Sequence, residues 1–229
     1  MESPINHIKL IITNNVCNIQ HTHLDVEINI RKKERKKEMT KNKDCTSQKD
    51  YDEKMIERQK LKDFISNMSR FIVTSRFNNS TLRENQEFRD RSQLGCVYCA
   101  PVMVTTKIPI DSIIFVLEMN NEINRIMGIG MVKNHPVCGK HRVYVNGNYN
   151  RFVYCGKYRI DRKNMTEDEE NIMQAFDILC FKGNTHMKRG QGLKSFPIDM
   201  LFRCKKVIDL IDFICEMFKK RKEKTGQKI

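Results

Sequence analysis

The sequence predicts an α+β domain: a small, curved, mostly antiparallel sheet with helices before and after it, behind a flexible basic N-terminal extension. Three observations carry this expectation. Apolar and β-branched runs punctuated by Pro, Asn and Gly fill residues 96–161. Apolar side chains recur at three- and four-residue steps over 50–73 and over much of 166–222. Lys and Arg crowd into residues 31–43, RKKERKKEMTKNK.

Residues 1–49 read as an extension and linker. Leu24, Val26, Ile28 and Ile30 alternate with Asp25, Glu27 and Asn29, the period of one half-buried strand. A lone strand is not a domain. The charge run behind it repels itself and stays solvated, either as a linker or as a nucleic-acid-binding arm. The core domain is expected over 50–222. Met55, Leu61, Phe64, Ile65, Met68 and Ile72 set a helix to about Val73, and a polar stretch from Arg76 to Gln93 leads into Gly95. Strand-like runs follow at Val102–Val104, Ile113–Leu117, Ile126–Val132, Val143–Val145 and Phe152–Tyr154, with Asn146-Gly147 as a turn between the last two. Thr166 ahead of Glu167, Asp168 and Glu169 is a capping hydroxyl followed by acids at the positive end of a helix. A last helix is expected from near Pro197 to about Lys222, with Leu201, Val207, Leu210, Ile214 and Phe218 on its apolar face. Residues 223–229 form a basic tail.

Among the 229 residues, 42 Lys and Arg oppose 28 Asp and Glu, a net charge of +14. Such an excess points to a polyanionic partner, with RNA or DNA first. No apolar run is long enough to span a bilayer, so no membrane partner is expected. Met1 to Asn15 lack the basic start, apolar stretch and small-residue cleavage site of a secretory leader. Nine Cys is an odd number in a chain that does not need disulfide staples, which favours a reducing, intracellular compartment. Ten Gly and five Pro without a period exclude collagen-like and other low-complexity classes.

The sharpest motif is the loop Lys182 to Gly192, KGNTHMKRGQG. Lys182, Lys188 and Arg189 sit among three glycines, with His186 and Gln191 as neutral hydrogen-bonding groups. Glycine lets backbone N–H groups approach a phosphate, and the cations neutralise it. The alternative is an exposed basic turn between two helices. Tyr144, Tyr149, Phe152, Tyr154 and Tyr158 are interleaved with Arg142, Arg151, Lys157, Arg159 and Arg162. Rings beside cations suit base stacking and phosphate contact, although strand alternation must send some of these rings into the core. Cys96-Val-Tyr-Cys99 has zinc-ligand spacing, and Cys138 with His141 could close a structural tetrahedral site. The competing reading is that these Cys are small core residues.

His21-Thr-His23-Leu-Asp25 lacks the further His that the metallo-β-lactamase motif needs and is set aside. Catalytic signatures are sparse. There is no HExxH, nucleophile elbow or dinucleotide fingerprint, and Glu118, Asp111, Asp161 and Asp177 are scattered rather than paired. Cys155 or Cys180 with His186 is a weak nucleophile–base drawing.

The stretches RFIVTSRFNN, IPIDSIIFVLEMNN, GIGMVKNHP, NGNYNRFVYCGKYRIDR and FKGNTHMKRGQGLKSFP resemble an uncharacterised protein set of nucleocytoplasmic large DNA viruses (giant viruses). The resemblance covers about Arg70 to Arg221 and implies a viral protein of the host cytoplasm, the viral factory or the virion. Ile113 to Glu118, the turn at Asn120-Asn121, and Gly128-Ile-Gly130 are also similar to parts of PUA-like modules, the group of EVE and YTH domains. That similarity implies a PUA-like barrel that reads a nucleic-acid base. The aromatic cage of YTH domains depends on Trp, and this chain has none. The resulting expectation is a non-catalytic nucleic-acid-binding domain. Lys182, Lys188 and Arg189 would contact phosphates, with His186 and Gln191 binding from the same loop; Arg151, Arg159 and Arg162 would extend the basic surface, and Tyr149 and Tyr158 would stack on bases. The alternatives are a nucleic-acid-processing enzyme using Glu118 or Asp161 near His186, and a virion DNA-packaging or structural protein.

Overall fold

The computed structural model describes residues 46–138, 141–183 and 186–224. The alternating segment 24–30, the charge run 31–43 and the His21/His23/Asp25 group lie outside the described residues.

Among the described residues, five helices and two sheets make an α+β domain. Helix α1 spans Thr46–Ser66, α2 Asn79–Ser92, α3 Glu167–Phe181, α4 Ile198–Cys204 and α5 Leu210–Lys224. Strands are β1 (Arg70–Phe77), β2 (Cys96–Ala100), β3 (Ile113–Asn120), β4 (Arg125–Lys133), β5 (Val137–Cys138), β6 (Phe152–Gly156), β7 (Tyr158–Asp161) and β8 (Leu193–Ser195). One sheet has the order β7-β4-β3-β1-β8 and the other β2-β6-β5. Only the β1–β3 pair is parallel. The two sheets are open rather than closed into a barrel, and they meet at a corner where the chain leaves β6 and enters β7.

Side-chain alternation divides the core into two layers. Ile72, Phe115, Leu117, Ile129 and Ile160 face α3, α4 and α5, with Phe115 stacked on Phe218 at 5.6 Å between centroids. Phe71, Val73, Ile114, Val116 and Val132 face the small sheet and α2. Thr166 caps α3 as expected, receiving Glu169 N–H while the Glu169 carboxylate receives Thr166 N–H.

Several expected elements differ. The polar stretch 76–93 contains α2, capped by Asn78, whose side chain accepts Thr81 N–H at 2.7 Å. Its apolar contacts are only Leu82 and Phe88, too few to show a helical stripe. Val102–Val104 is not a strand: Val102 and Met103 are exposed, and only Val104 is buried. Val143–Val145 is irregular, and Gly147 opens a 3-10 turn rather than a hairpin. The buried Asn150 explains why, since its Oδ1 accepts both Val143 N–H and Tyr144 N–H, taking the donors a strand ladder would use. The last helix is two helices, α4 and α5, separated where Asp209 Oδ1 accepts from Ile211 N–H and Asp212 N–H.

Between the layers lies one buried charge cluster. Glu118 is 1% exposed and pairs bidentately with Arg159, at 2.6 Å in its shorter contact, while Tyr98 donates to Glu118 Oε1 at 2.7 Å. Arg159 also reaches Asp161 at 2.9 Å. Burial disfavours the Arg159 charge, but the two carboxylates outweigh burial and raise its pKa. Removing one partner strands the other in the interior, so Arg159→Met should cost about 3–5 kcal/mol of stability in urea unfolding.

A second ion pair ties α3 to α5. Burial alone would raise the Glu169 carboxyl, yet the Arg221 guanidinium and Thr166 N–H outweigh it and hold it below the ordinary glutamate value. The stability this pair supplies is complete above the ordinary carboxylate pKa and is lost as pH falls through the depressed value. Urea midpoints should therefore drop between about pH 5 and pH 3. Arg221→Met should flatten that drop.

Candidate nucleic-acid interface

A cleft of about 420 Å³ opens where the C-terminal end of β1 meets the start of α2, the segment 190–192 and the loop 144–149. Each wall is held by a named interaction. Asn85, 1% exposed, donates from Nδ2 to Val97 O at 2.7 Å and to the Tyr144 hydroxyl at 3.1 Å, fixing Tyr144 against β2. Asn150 Nδ2 donates to Tyr144 O, and Glu84 accepts Val145 N–H, so the loop is pinned to its own base and to α2. Tyr149 stands edge-on to Tyr144 with ring centroids 6.4 Å apart. Val145, 78% exposed, adds an apolar shoulder to this loop.

The opposite wall is the glycine-containing loop. Arg76 Nε donates to Met187 O at 2.5 Å, Asn121 Nδ2 donates to Lys188 O at 3.1 Å, and Met187 N–H donates to Cys180 O at 2.7 Å. Gly190 and Gly192 have φ of 102° and 66°, which only glycine adopts without strain. Gly192 also lies against Ala100 and Pro101, where a Cβ would come within 2.8 Å of the Ala100 Cβ.

Two residues lining this cleft each hold one buried polar atom with no hydrogen-bond partner among the described residues: Arg76 Nη1 and Asn121 Oδ1. His186 Nδ1, at the start of the same loop, is a third. Burial lowers the Arg76 pKa and raises that of the cleft-lining Cys99, keeping the thiol neutral. The cleft is therefore lined by two residues that carry one unmet donor and one unmet acceptor, and by two phenol rings.

The structure gathers some of the expected contact residues here and disperses others. Gln191 and Tyr149 line the cleft, Lys188 is held at its edge through its carbonyl, and Arg189 is exposed in the same loop. Lys182 is exposed at the C-cap of α3, and Arg151 is exposed beside the 3-10 turn that carries Tyr149. Three expected contacts are corrected. Arg159 serves Glu118 and Asp161. Arg162, 6% exposed, is held by Glu170, Asp177 and Ile126 O. Tyr158 packs against the core with Lys222 Nζ 4.2 Å from its ring centre. Arg159 and Arg162 read as surface from their charge, but Glu118 of β3 draws the first inward and Glu170 and Asp177 of α3 draw the second.

The zinc set is not assembled. Cys96 and Cys99 are three apart on a continuous strand, so they point to opposite faces. Cys96 Sγ lies 3.4 Å from Tyr158 O within the sheet corner, whereas Cys138 is exposed. Among the described residues no three His, Cys, Asp or Glu side chains are grouped to hold a metal. The acids proposed for chemistry, Glu118 and Asp161, are both engaged by Arg159. Cys180 is fully buried, and burial raises its thiol pKa.

Sequence reasoning missed Arg76, Asn78, Asn121 and Glu84 as cleft residues. Each lies in a polar stretch or turn, and only the long-range pairing of β1 with β3 brings Arg76 near Asn121. Comparison with protein-family models, curated proteins and solved structures finds no match. Among the described residues no helix is long and apolar enough to cross a membrane.

Arg76 and Asn121 fasten the loop by two hydrogen bonds to its backbone. Replacing either by Ala should loosen it by about 1 kcal/mol, speeding tryptic cleavage after Lys188 or Arg189 by about fivefold at an unchanged urea midpoint.

Proposed function

We propose that this chain is a non-catalytic nucleic-acid-binding domain that takes an unstacked base into the cleft while Lys188 and Arg189 contact the flanking phosphates. The observation that carries this reading is the juxtaposition of two cleft residues with unmet buried polar atoms, Arg76 Nη1 and Asn121 Oδ1, and of Tyr144 and Tyr149 on the other wall. A base edge presents acceptors and donors together, and its face stacks on a phenol ring. Each unmet buried group costs about 1–3 kcal/mol, a cost that a ligand with the complementary pattern removes. The cleft volume lies within the range of about 300–1,000 Å³ in which small-ligand pockets fall.

The finer reading is a PUA-like core. Its support is the β3–β4 hairpin, in which Glu118, the turn at Asn120-Asn121 and the close approach at Gly128 and Gly130 stand in the expected order. The resemblance to giant-virus proteins supports placing the chain in an infected cell, in the cytoplasm, viral factory or virion.

Fluorescence anisotropy with labelled single-stranded RNA, duplex RNA and duplex DNA across a salt series tests this function. Binding should favour a single-stranded or flippable ligand. Lys188→Ala with Arg189→Ala should lower the slope of log K against log salt by about 0.7–0.9 for each phosphate that is no longer neutralised. Tyr149→Ala should weaken single-strand binding by about 1–3 kcal/mol by removing a stacking ring. Equal affinity for all three ligands would indicate packaging rather than base recognition, and affinity indifferent to these substitutions would remove the cleft from the interface.

A further inference from the structure

A second groove, of about 580 Å³, runs along β8 and on to the start of α4, with Met103, Lys107 and Ile108 of the loop 101–112 on its other side. β8 is the end strand of the five-stranded sheet. Phe196 N–H donates to Ile72 O at 2.9 Å, so the even residues of β8 bond to β1. The alternation of an antiparallel ladder then turns the N–H and C=O groups of Leu193 and Ser195 outward. Among the described residues no strand pairs with that edge. A bare edge beside apolar side chains is a template for an added strand.

We propose that residues 24–30 of this same chain dock in the groove as an added strand on β8. Three observations select this occupant, independently of the nucleic-acid reading. The first is pattern: Leu24, Val26, Ile28 and Ile30 share one side at the strand period, matching a groove lined by Phe71, Met103 and Ile108, of which Met103 is 45% exposed. The second is charge. Asp25 and Glu27 occupy the other side of the segment, and the groove carries Lys107 and Lys194 beside β8 against a single acid, Asp199, at its α4 end.

The third is reach. Asp199 lines this groove and also a neighbouring pocket shared with Lys54, Glu57 and Arg58 of α1. The first half of α1 therefore lies beside one end of the groove. From Lys54 back to Thr46 is about 12 Å of helix, and residues 31–45 extend to about 50 Å. The segment can return to β8 without strain in its tether.

Residue-resolved amide hydrogen exchange on the full chain tests the docking. In the wild type, Leu193 and Ser195 should exchange about tenfold more slowly than in Val26→Asp with Ile28→Asp. Lys194→Glu should also speed their exchange, and adding Asp25→Lys and Glu27→Lys to Lys194→Glu should restore protection. Equal exchange in the wild type and the first variant overturns the proposal. So does protection that grows with protein concentration alongside a dimer in sedimentation, because the occupant is then a second copy.

Discussion

Glu118 is a carboxylate placed where almost no water reaches, and the arrangement of both sheets follows from giving it partners. Arg159 comes from β7, across β4, and Tyr98 comes from β2 in the other sheet. For these side chains to arrive, the intervening strand must be bare. Gly128 and Gly130 of β4 supply that space: a Cβ at Gly130 would lie 2.0 Å from the Tyr98 hydroxyl, and one at Gly128 would lie 2.8 Å from Arg159 Nη2. The corner between the sheets is thus set by one charge and two missing side chains. A buried ion pair of this kind is weak evidence for stability, since desolvation offsets its attraction. Its contribution here is register, because a slip of one residue in β3 or β4 would move Glu118 or the glycines to the wrong face.

The cleft inherits its shape from that corner. Tyr98 positions β2, the carbonyl of the preceding Val97 orients Asn85, and Asn85 holds the Tyr144 hydroxyl. On the other side, the parallel pairing of β1 with β3 brings Arg76 opposite Met119, close to Asn121. Arg76 and Asn121, both cleft residues, each use one polar atom to fasten the glycine loop and hold another that is buried and unpartnered. A group that is half satisfied by structure and half free is poised for a ligand at little reorganisation, since its rotamer is already fixed by the bond it makes.

The α+β class and several elements were legible from one sequence, but β1 at Arg70–Phe77, whose first residues were read as the end of the preceding helix, and most of the cleft were not. Thr166 with Glu169, and the runs at Ile113–Leu117 and Ile126–Val132, are read correctly because capping chemistry and alternation are local. Helix α2 escapes because its stability comes from the Asn78 cap and from Asn85 reaching β2, neither of which leaves an apolar period. Val143–Val145 looks like a strand by composition, but Asn150 captures its amides. The Cys96/Cys99 spacing looks like a chelate only until the segment is known to be extended. Of the residues proposed to contact nucleic acid, those in the glycine loop were nominated from φ requirements and charge. Arg159 and Arg162 were misassigned because a carboxylate distant in sequence decides whether an arginine faces water or the core.

That misassignment sharpens where the chain's positive charge resides. Arg159, Arg162 and Arg221 are bound to more acids than they can neutralise, namely Glu118, Asp161, Glu170, Asp177 and Glu169, so these clusters supply none of the excess of +14. The excess must lie where cations outnumber acids. Lys182, Lys188, Arg189 and Lys194 follow one another with no acid between them, and the run at 31–43 carries most of its charge unopposed. Gly190 to Gly192, next to Lys188 and Arg189, line the cleft and Lys194 lines the groove along β8, so on the two proposals a polyanion in the cleft and the acidic segment on β8 would meet the same stretch of chain from its two ends. Electrostatics of this kind act over about 8–10 Å at physiological salt. Occupancy of one site therefore bears on the field felt at the other.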